Sequence, residues 1–170
     1  MVFQDPYGSL NPRKTIWTTL SLAIKIHFKL SEDEIKNKVF ELLEKVELTP
    51  PEVFYERHPH ELSGGQQQRV AIARAISTEP KLIISDEAVA SLDMSIRSEI
   101  LKLLKKINIE TKVSMIMISH DLSVLKNMCN RIAIMHLGKI VEIGDKEKIL
   151  GSPQHNYTKK LISATLEIPN

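Results

Sequence analysis

The chain has 170 residues and a mass of 19.3 kDa, the length of one domain whose core can fold without disulfide or metal staples. With Lys+Arg at 23 and Asp+Glu at 21, the net charge of +2 nominates neither nucleic acid nor an anionic membrane as partner. One cysteine, Cys129, excludes an intrachain disulfide and a Cys-cluster metal site, and fits a reducing, cytosolic compartment.

The opening Met-Val-Phe-Gln-Asp-Pro lacks the basic and apolar regions of a secretory signal, and no run reaches the ~20 apolar residues of a membrane span. Val2 to Gln4 reads as the end of a strand, followed by the turn-rich run Asp5 to Pro12. A helix is expected from Thr15 to Phe28. A second follows from Ser31, where Ser31 and Glu34 have capping-box spacing and Ile35, Val39, Leu42, Leu43 and Val46 recur at helical intervals. It should end near Thr49-Pro50-Pro51. Pro50 to Leu62 reads as a loop containing Pro and His, and Ser63-Gly64-Gly65 opens a helix running through Val70, Ala73 and Ile76 to Pro80.

Lys81 to Glu87 is an apolar strand ending in two carboxylates. Asp93 begins a helix carrying Ile96, Ile100, Leu103, Leu104 and Ile107, and Val113 to Ile118 forms a second apolar strand ending in Ser119-His120-Asp121. Such near-continuous strands alternating with helices predict a parallel sheet buried on both faces. After a short helix to Cys129, Arg131–Met135 and Lys139–Ile143 predict an antiparallel hairpin, then short helices from Lys146 to Leu150 and from Tyr157 to Leu166.

The glycines, Gly8, Gly64, Gly65, Gly138, Gly144 and Gly151, include no pair spaced for G-x-x-x-x-G-K-[ST] and none for G-x-G-x-x-G. In open parallel sheets ligands bind beyond the carboxyl ends of the strands, which singles out Asp86, Glu87 and His120. Asp86 suits a magnesium ion that keeps most of its waters, with Glu87 polarising an attacking water; the alternative is a strand end with solvated acids. Ser63-Gly64-Gly65-Gln66 leaves backbone N–H groups unshielded at a helix start, an anion site or a plain serine cap. His120 alone reads as a hydrogen-bonded structural residue, as do His58 and His60.

Taken in order, Gln4 in Val-Phe-Gln-Asp-Pro, the run Leu62-Ser63-Gly64-Gly65-Gln66-Gln67-Gln68-Arg69-Val70-Ala71-Ile72-Ala73-Arg74-Ala75, the stretch Leu82 to Asp93 and Ile118-Ser119-His120-Asp121 resemble an ABC-transporter ATPase over nearly the whole chain. Phe3 to Arg13 and Pro153 to Ala164 resemble the oligopeptide, dipeptide and nickel importer branch.

The resemblance implies an α/β fold, a partial P-loop NTPase core with a helical subdomain. Residues 12–80 would be the helical signature part that docks a permease, 81–144 the part of the core with the metal carboxylate and the switch histidine, and 145–170 a C-terminal importer-type extension. Gln4 would sense the γ-phosphate and Mg²⁺. Asp86 would be the metal residue and Glu87 the catalytic base. His120 would contact the γ-phosphate, and Asp93 would lie across a dimer interface. Ser63, Gly64, Gly65 and Gln66 would bind ATP held by the opposite subunit.

The cofactors implied are ATP and Mg²⁺. The partners implied are a second ABC ATPase subunit, identical or related, transmembrane permease subunits and, indirectly, a solute-binding protein, at the cytoplasmic face of the membrane and without nucleic acid. Ala88 stands where much of the family has Pro. The family pattern begins here at the Gln4 segment, without a P-loop, so an N-terminally shortened subunit is expected: a gene fragment, a start taken at an internal Met, or a partial sequence. Alone it should be inactive. The rival readings are a degenerate docking module and an ABC ATPase outside transport.

Overall fold

The computed structural model describes residues 1–166; residues 167–170, the last of the expected C-terminal extension, lie outside the described residues. The elements run α1 (Pro6–Ser9), α2 (Ile16–His27), α3 (Glu32–Lys45), α4 (Pro51–Phe54), a 3₁₀ turn (Pro59–Glu61), α5 (Gly64–Ile76), β1 (Leu82–Asp86), α6 (Met94–Thr111), β2 (Ser114–Ile118), α7 (Leu122–Met128), β3 (Arg131–His136), β4 (Lys139–Asp145), α8 (Lys146–Gly151) and α9 (Asn156–Leu166). They form two compact units, one ending at Ile118 and one beginning at Ser119.

In the first unit the helices bury the residues that their periodicity selects. Ile16, Leu20 and Ile24 of α2, Ile35, Val39 and Leu43 of α3, and Ile100, Leu104 and Ile107 of α6 are essentially inaccessible to water, each contributing about 1.5–3 kcal/mol of burial. Caps fix where the helices begin. Thr15 accepts the Thr18 amide at the start of α2, and Ser31 and Glu34 form a full capping box at α3, with the Ser31 amide donating to Glu34 Oε2 over 2.8 Å and the Glu34 amide to Ser31 Oγ over 3.3 Å.

The segment expected as a loop between Pro50 and Leu62 instead holds α4 and the 3₁₀ turn. Pro51 and Pro59 each stand at a first helical position, where a missing N–H costs nothing. The turn-rich run after Gln4 likewise closes one helical turn, α1, behind Pro6.

β1 and β2 pair in parallel from Leu82↔Ser114 to Asp86↔Ile118. They are not buried on both faces. Ile83 and Ser85 are 1% exposed while Leu82 is 47%, Ile116 50% and Ile118 50% exposed, so alternate side chains face in and out with the strand's period of two. An unbroken apolar run hides that alternation, because it looks the same whether one face is covered or both. Val2 adds one parallel bridge on the other side of β1, opposite Ser85, where the end of a strand is expected.

In the second unit β3 and β4 form the expected antiparallel hairpin, with a bulge between Ile134 and Met135. Its two-residue turn, Leu137 and Gly138, has φ of 48° and 76°, the left-handed pair that suits the right-handed twist of a hairpin. Glu142 of β4 accepts the Gln154 and His155 amides over 2.9 and 3.0 Å, and His136 stacks on Tyr157 with centroids 3.8 Å apart. These contacts hold the start of α9 to the hairpin. Among the described residues no helix is long and apolar enough to cross a membrane.

Candidate functional site

The carboxyl end of β1 gathers three segments of the first unit. The Val2 amide donates to Ile84 O over 2.8 Å and the Asp86 amide to Val2 O over 2.9 Å, so the chain bearing Gln4 leaves the sheet at the end where Asp86 and Glu87 stand. Asp86 is half-buried. Glu87, also half-buried, has φ 49°, a left-handed backbone that costs a non-glycine residue about 1 kcal/mol or more. Its amide donates to Ile118 O over 3.0 Å and its carbonyl accepts the Ala90 amide over 2.9 Å. The strain is therefore held from both sides of the residue.

The second cluster is the start of α5. The Gln66 amide donates to Ser63 Oγ over 3.3 Å and the Ser63 amide to Gln66 Oε1 over 3.0 Å, another full capping box. The Gln67 amide donates to Ser63 O over 2.9 Å. The Gly64 and Gly65 amides donate to no group among the described residues, and the first turn carries no acid. Four N–H groups at a helix start lack helical acceptors, and the helix dipole makes that end positive.

The two glycines serve different ends. A Cβ on Gly65 would come within 2.7 Å of Ile96 Cγ2, whereas at Gly64 the first neighbour, Leu92 Cδ2, is 4.0 Å away. Gly65 lets the start of α6 pack onto the start of α5; Gly64 is exposed and keeps the approach to the amides open. Asp93 caps α6, with Oδ1 accepting the Ile96 amide over 3.1 Å and the Ser95 hydroxyl over 2.8 Å. Those bonds, the Ile96 amide first, hold its carboxyl below the usual range. The Ser63–Gln66 segment and Asp93 are thus brought side by side by the Gly65–Ile96 contact.

Three side chains that the sequence did not single out make four bonds joining these pieces. Gln68 of α5, fully buried, donates from Nε2 to Ala88 O over 2.7 Å and to Phe3 O over 3.4 Å. Ser91 Oγ donates to Gln4 O over 2.9 Å. Arg74 donates to Ser9 O over 2.6 Å, its guanidinium lowered from its ordinary value by burial. The only signal in the sequence was the polar Gln68 among the apolar positions of α5.

His120 lies in the second unit, exposed, two residues beyond the β2 residue that pairs with Asp86. Beside it Asp121 caps α7, accepting the Ser123 amide over 2.9 Å. His58 and His60 stack with centroids 5.5 Å apart, and the Glu61 carboxyl is held low chiefly by the His58 amide. Burial raises the Cys129 thiol.

The donor set suits a magnesium nucleotide. The Asp86 carboxylate and the Gln4 amide oxygen are hard oxygen ligands of the kind Mg²⁺ takes one or two at a time, and the unshielded amides at α5 suit phosphate oxygens.

The family model described as ABC transporter matches residues 1–90. The chain is 46% identical over 165 residues to the dipeptide transport ATP-binding protein DppF of Haemophilus influenzae, covering 97% of this chain and 50% of that protein. It is 45% identical over 163 residues to the glutathione import ATP-binding protein GsiA of Escherichia coli K12, covering 96% of this chain and 26% of that protein. The chain therefore spans about half the length of the first of these relatives and a quarter of the second. Among solved structures, cbiO1 from Clostridium perfringens, part of the ABC transporter complex cbiONQ, aligns with a TM-score of 0.76 and 30% identity over 99% of this chain and 63% of that one. The ATP-binding cassette MJ0796, a dimer in a post-hydrolysis state bound to ADP and Pi, aligns with a TM-score of 0.72 and 32% identity over 85% of this chain and 61% of that one. With its α/β core, its Ser63–Gln66 helix start and the acids at the end of β1, this chain belongs to the ABC transporter family.

Proposed function

We propose that the chain is the ATP-binding part of an importer that takes up peptides or a related small solute, working at the cytoplasmic face of the membrane with permease subunits and a second ATPase subunit. The observation that carries this reading is the convergence of Gln4, Asp86 and Glu87 at one end of the sheet, with the Ser63–Gln66 helix start packed on the start of α6. The similarity to the DppF and GsiA proteins supports the solute class. Residues 12–80 serve as the helical part facing a permease, 81–144 as the part of the core carrying the acids and the histidine, and 145–170 as the C-terminal extension.

In this reading Asp86, with Gln4, holds Mg²⁺, and Glu87 takes the proton of the attacking water. His120 contacts the γ-phosphate. Bound Mg-ATP supplies an electrophilic phosphorus whose charge the metal partly neutralises, and the protein's share is positioning and electrostatics. The Gly64 and Gly65 amides, framed by the Ser63–Gln66 box, meet the γ-phosphate of ATP on the opposite subunit, and Asp93 faces that subunit across the interface. These 170 residues contain no P-loop sequence, so on this reading the 170 residues alone turn over no ATP.

A tag on the chain, used to purify it from the membranes of its own cells, tests the assignment. Permease and ATPase subunits should accompany it, and loss of the chain should abolish ATP-dependent uptake of dipeptides or glutathione. Recovery without a permease, or uptake of both solutes unchanged, would contradict the proposal.

A further inference from the structure

Gln68 is a polar side chain with no exposure to water, set in a helix whose other buried positions include Val70, Ala71, Ile72 and Ala73. Its one amide nitrogen donates to two backbone carbonyls that lie far apart in sequence: Ala88, directly after Glu87, over 2.7 Å, and Phe3, directly before Gln4, over 3.4 Å. Its carbonyl oxygen Oε1 is buried and has no hydrogen-bond partner. Burying an unsatisfied acceptor is unfavourable, and a leucine would fill the same space without it. The glutamine therefore does something other than maximise packing.

We infer that Gln68 is a positioning residue that ties the helix beginning at Ser63 to both the Gln4 segment and the Glu87 loop, so that these two segments keep one relation to each other and to α5. The inference rests on the proposed ATPase reading for its functional consequence; the mechanical coupling stands on geometry alone. Glu87 has a left-handed backbone held by bonds on either side of it, so the carbonyl of Ala88 is the next anchor along a strained turn. The bond over 3.4 Å to Phe3 O is the longer and weaker of the two. Ser91 Oγ adds a parallel tie to Gln4 O, which closes a ring of contacts: α5 to Phe3, Gln4 to Ser91, and Ala88 back to α5.

The test compares Gln68→Leu and Gln68→Met with the wild type in the full chain, purified with the subunits that accompany it. Both variants keep side-chain bulk and remove the orphaned acceptor, but they leave the Ala88 and Phe3 carbonyls without their donor, so the melting temperature should fall modestly while the fold is kept. Amide hydrogen exchange is the first readout. The Val2, Asp86 and Ala90 amides should exchange faster by a similar factor, about tenfold, while the Val39 and Leu43 amides of α3 keep their rates. Turnover of Mg-ATP is the second: kcat should fall about tenfold or more while KM stays within about twofold, the mark of misplaced rather than missing groups.

Unchanged exchange at those three amides, or acceleration confined to α5, overturns the inference. A rise in KM with kcat unchanged, which a loss of binding would produce, also overturns it, and kcat is referred to the concentration of folded complex so that lost protein is not read as slower turnover. If both variants fail to fold, exchange in the wild type decides: the Val2 and Ala90 amides must open with the same free energy, and unequal values contradict the coupling. A wild-type complex without ATP turnover would refute the functional reading, while the exchange data would still judge Gln68.

Discussion

Two helices of the first unit begin with the same device and differ in what surrounds it. At α3, Ser31 and Glu34 cap each other, and Glu32, Asp33 and Glu34 fill the first turn with negative charge. At α5, Ser63 and Gln66 make the same pair of bonds, but the turn contains Gly64, Gly65 and no acid. The α3 start satisfies its own dipole and is closed to an external anion. The α5 start keeps the cap and gives up the charge: glutamine in place of glutamate preserves the hydrogen bond and leaves the positive helix end for a ligand. A cap geometry alone does not mark a binding site; a cap without its usual carboxylate, beside two unshielded amides, leaves the helix end open to an anion.

Of the changes that separate the two helix starts, Gly65→Ala should have the largest effect. Alanine gains about 1 kcal/mol in helix propensity over glycine, yet its Cβ would stand 2.7 Å from Ile96 Cγ2 and must push α6 away. A net loss of about 1–3 kcal/mol is expected on thermal unfolding, with turnover in the assembled complex falling steeply as Asp93 moves. Gln66→Glu converts the α5 box into a copy of α3's. It should raise stability by about 0.3–1 kcal/mol while ATP turnover falls about tenfold, a pair of opposite signs that a purely structural cap cannot give. Ser31→Ala and Ser63→Ala should each cost about 1 kcal/mol in stability, but only the second should raise the KM for Mg-ATP.

Acid separates the two starts further. Glu34 is held below the usual carboxylate range by the Ser31 amide and hydroxyl. A depressed native pKa means that the unfolded chain takes up protons first as pH falls below about 4, so the stability linked to Glu34 is present above that pH and is lost as pH drops through the lower native value. Asp93 at α6 follows the same sign. The Ser63–Gln66 box has no ionisable partner and should keep its geometry through the same range. Chemical shifts of the Glu34 and Gln66 amides during an acid titration report this directly: the first should move and the second should not.

Much of this was legible along the chain because it is local. Capping residues at Ser31, Ser63 and Asp93 act over three positions, and each begins its helix where expected. The parallel pairing of β1 with β2 and the β3–β4 hairpin follow from apolar runs and turn residues of the same kind. What escaped is long-range. Gln68 meets Phe3 across 65 positions, Gly65 owes its identity to Ile96 of another helix, and the left-handed backbone of Glu87 is imposed by the neighbouring strand through Ile118 O. The half-exposed face of β2 depends on what covers the sheet, which its own residues do not encode. The roles assigned to Gln4, Asp86, Glu87 and His120 came from resemblance, because two acids at a strand end read equally well as solvated surface.

In the proposed mechanism Glu87 activates water for ATP hydrolysis at the end of β1, and Glu87→Gln isolates that role. The amide is nearly isosteric, so the strained turn and its bonds to Ile118 and Ala90 should survive, and only the proton acceptor is lost. Measured in the assembled complex, Mg-ATP binding should persist while turnover drops by about a hundredfold or more. Turnover at the wild-type rate in Glu87→Gln would show that Glu87 is not the base.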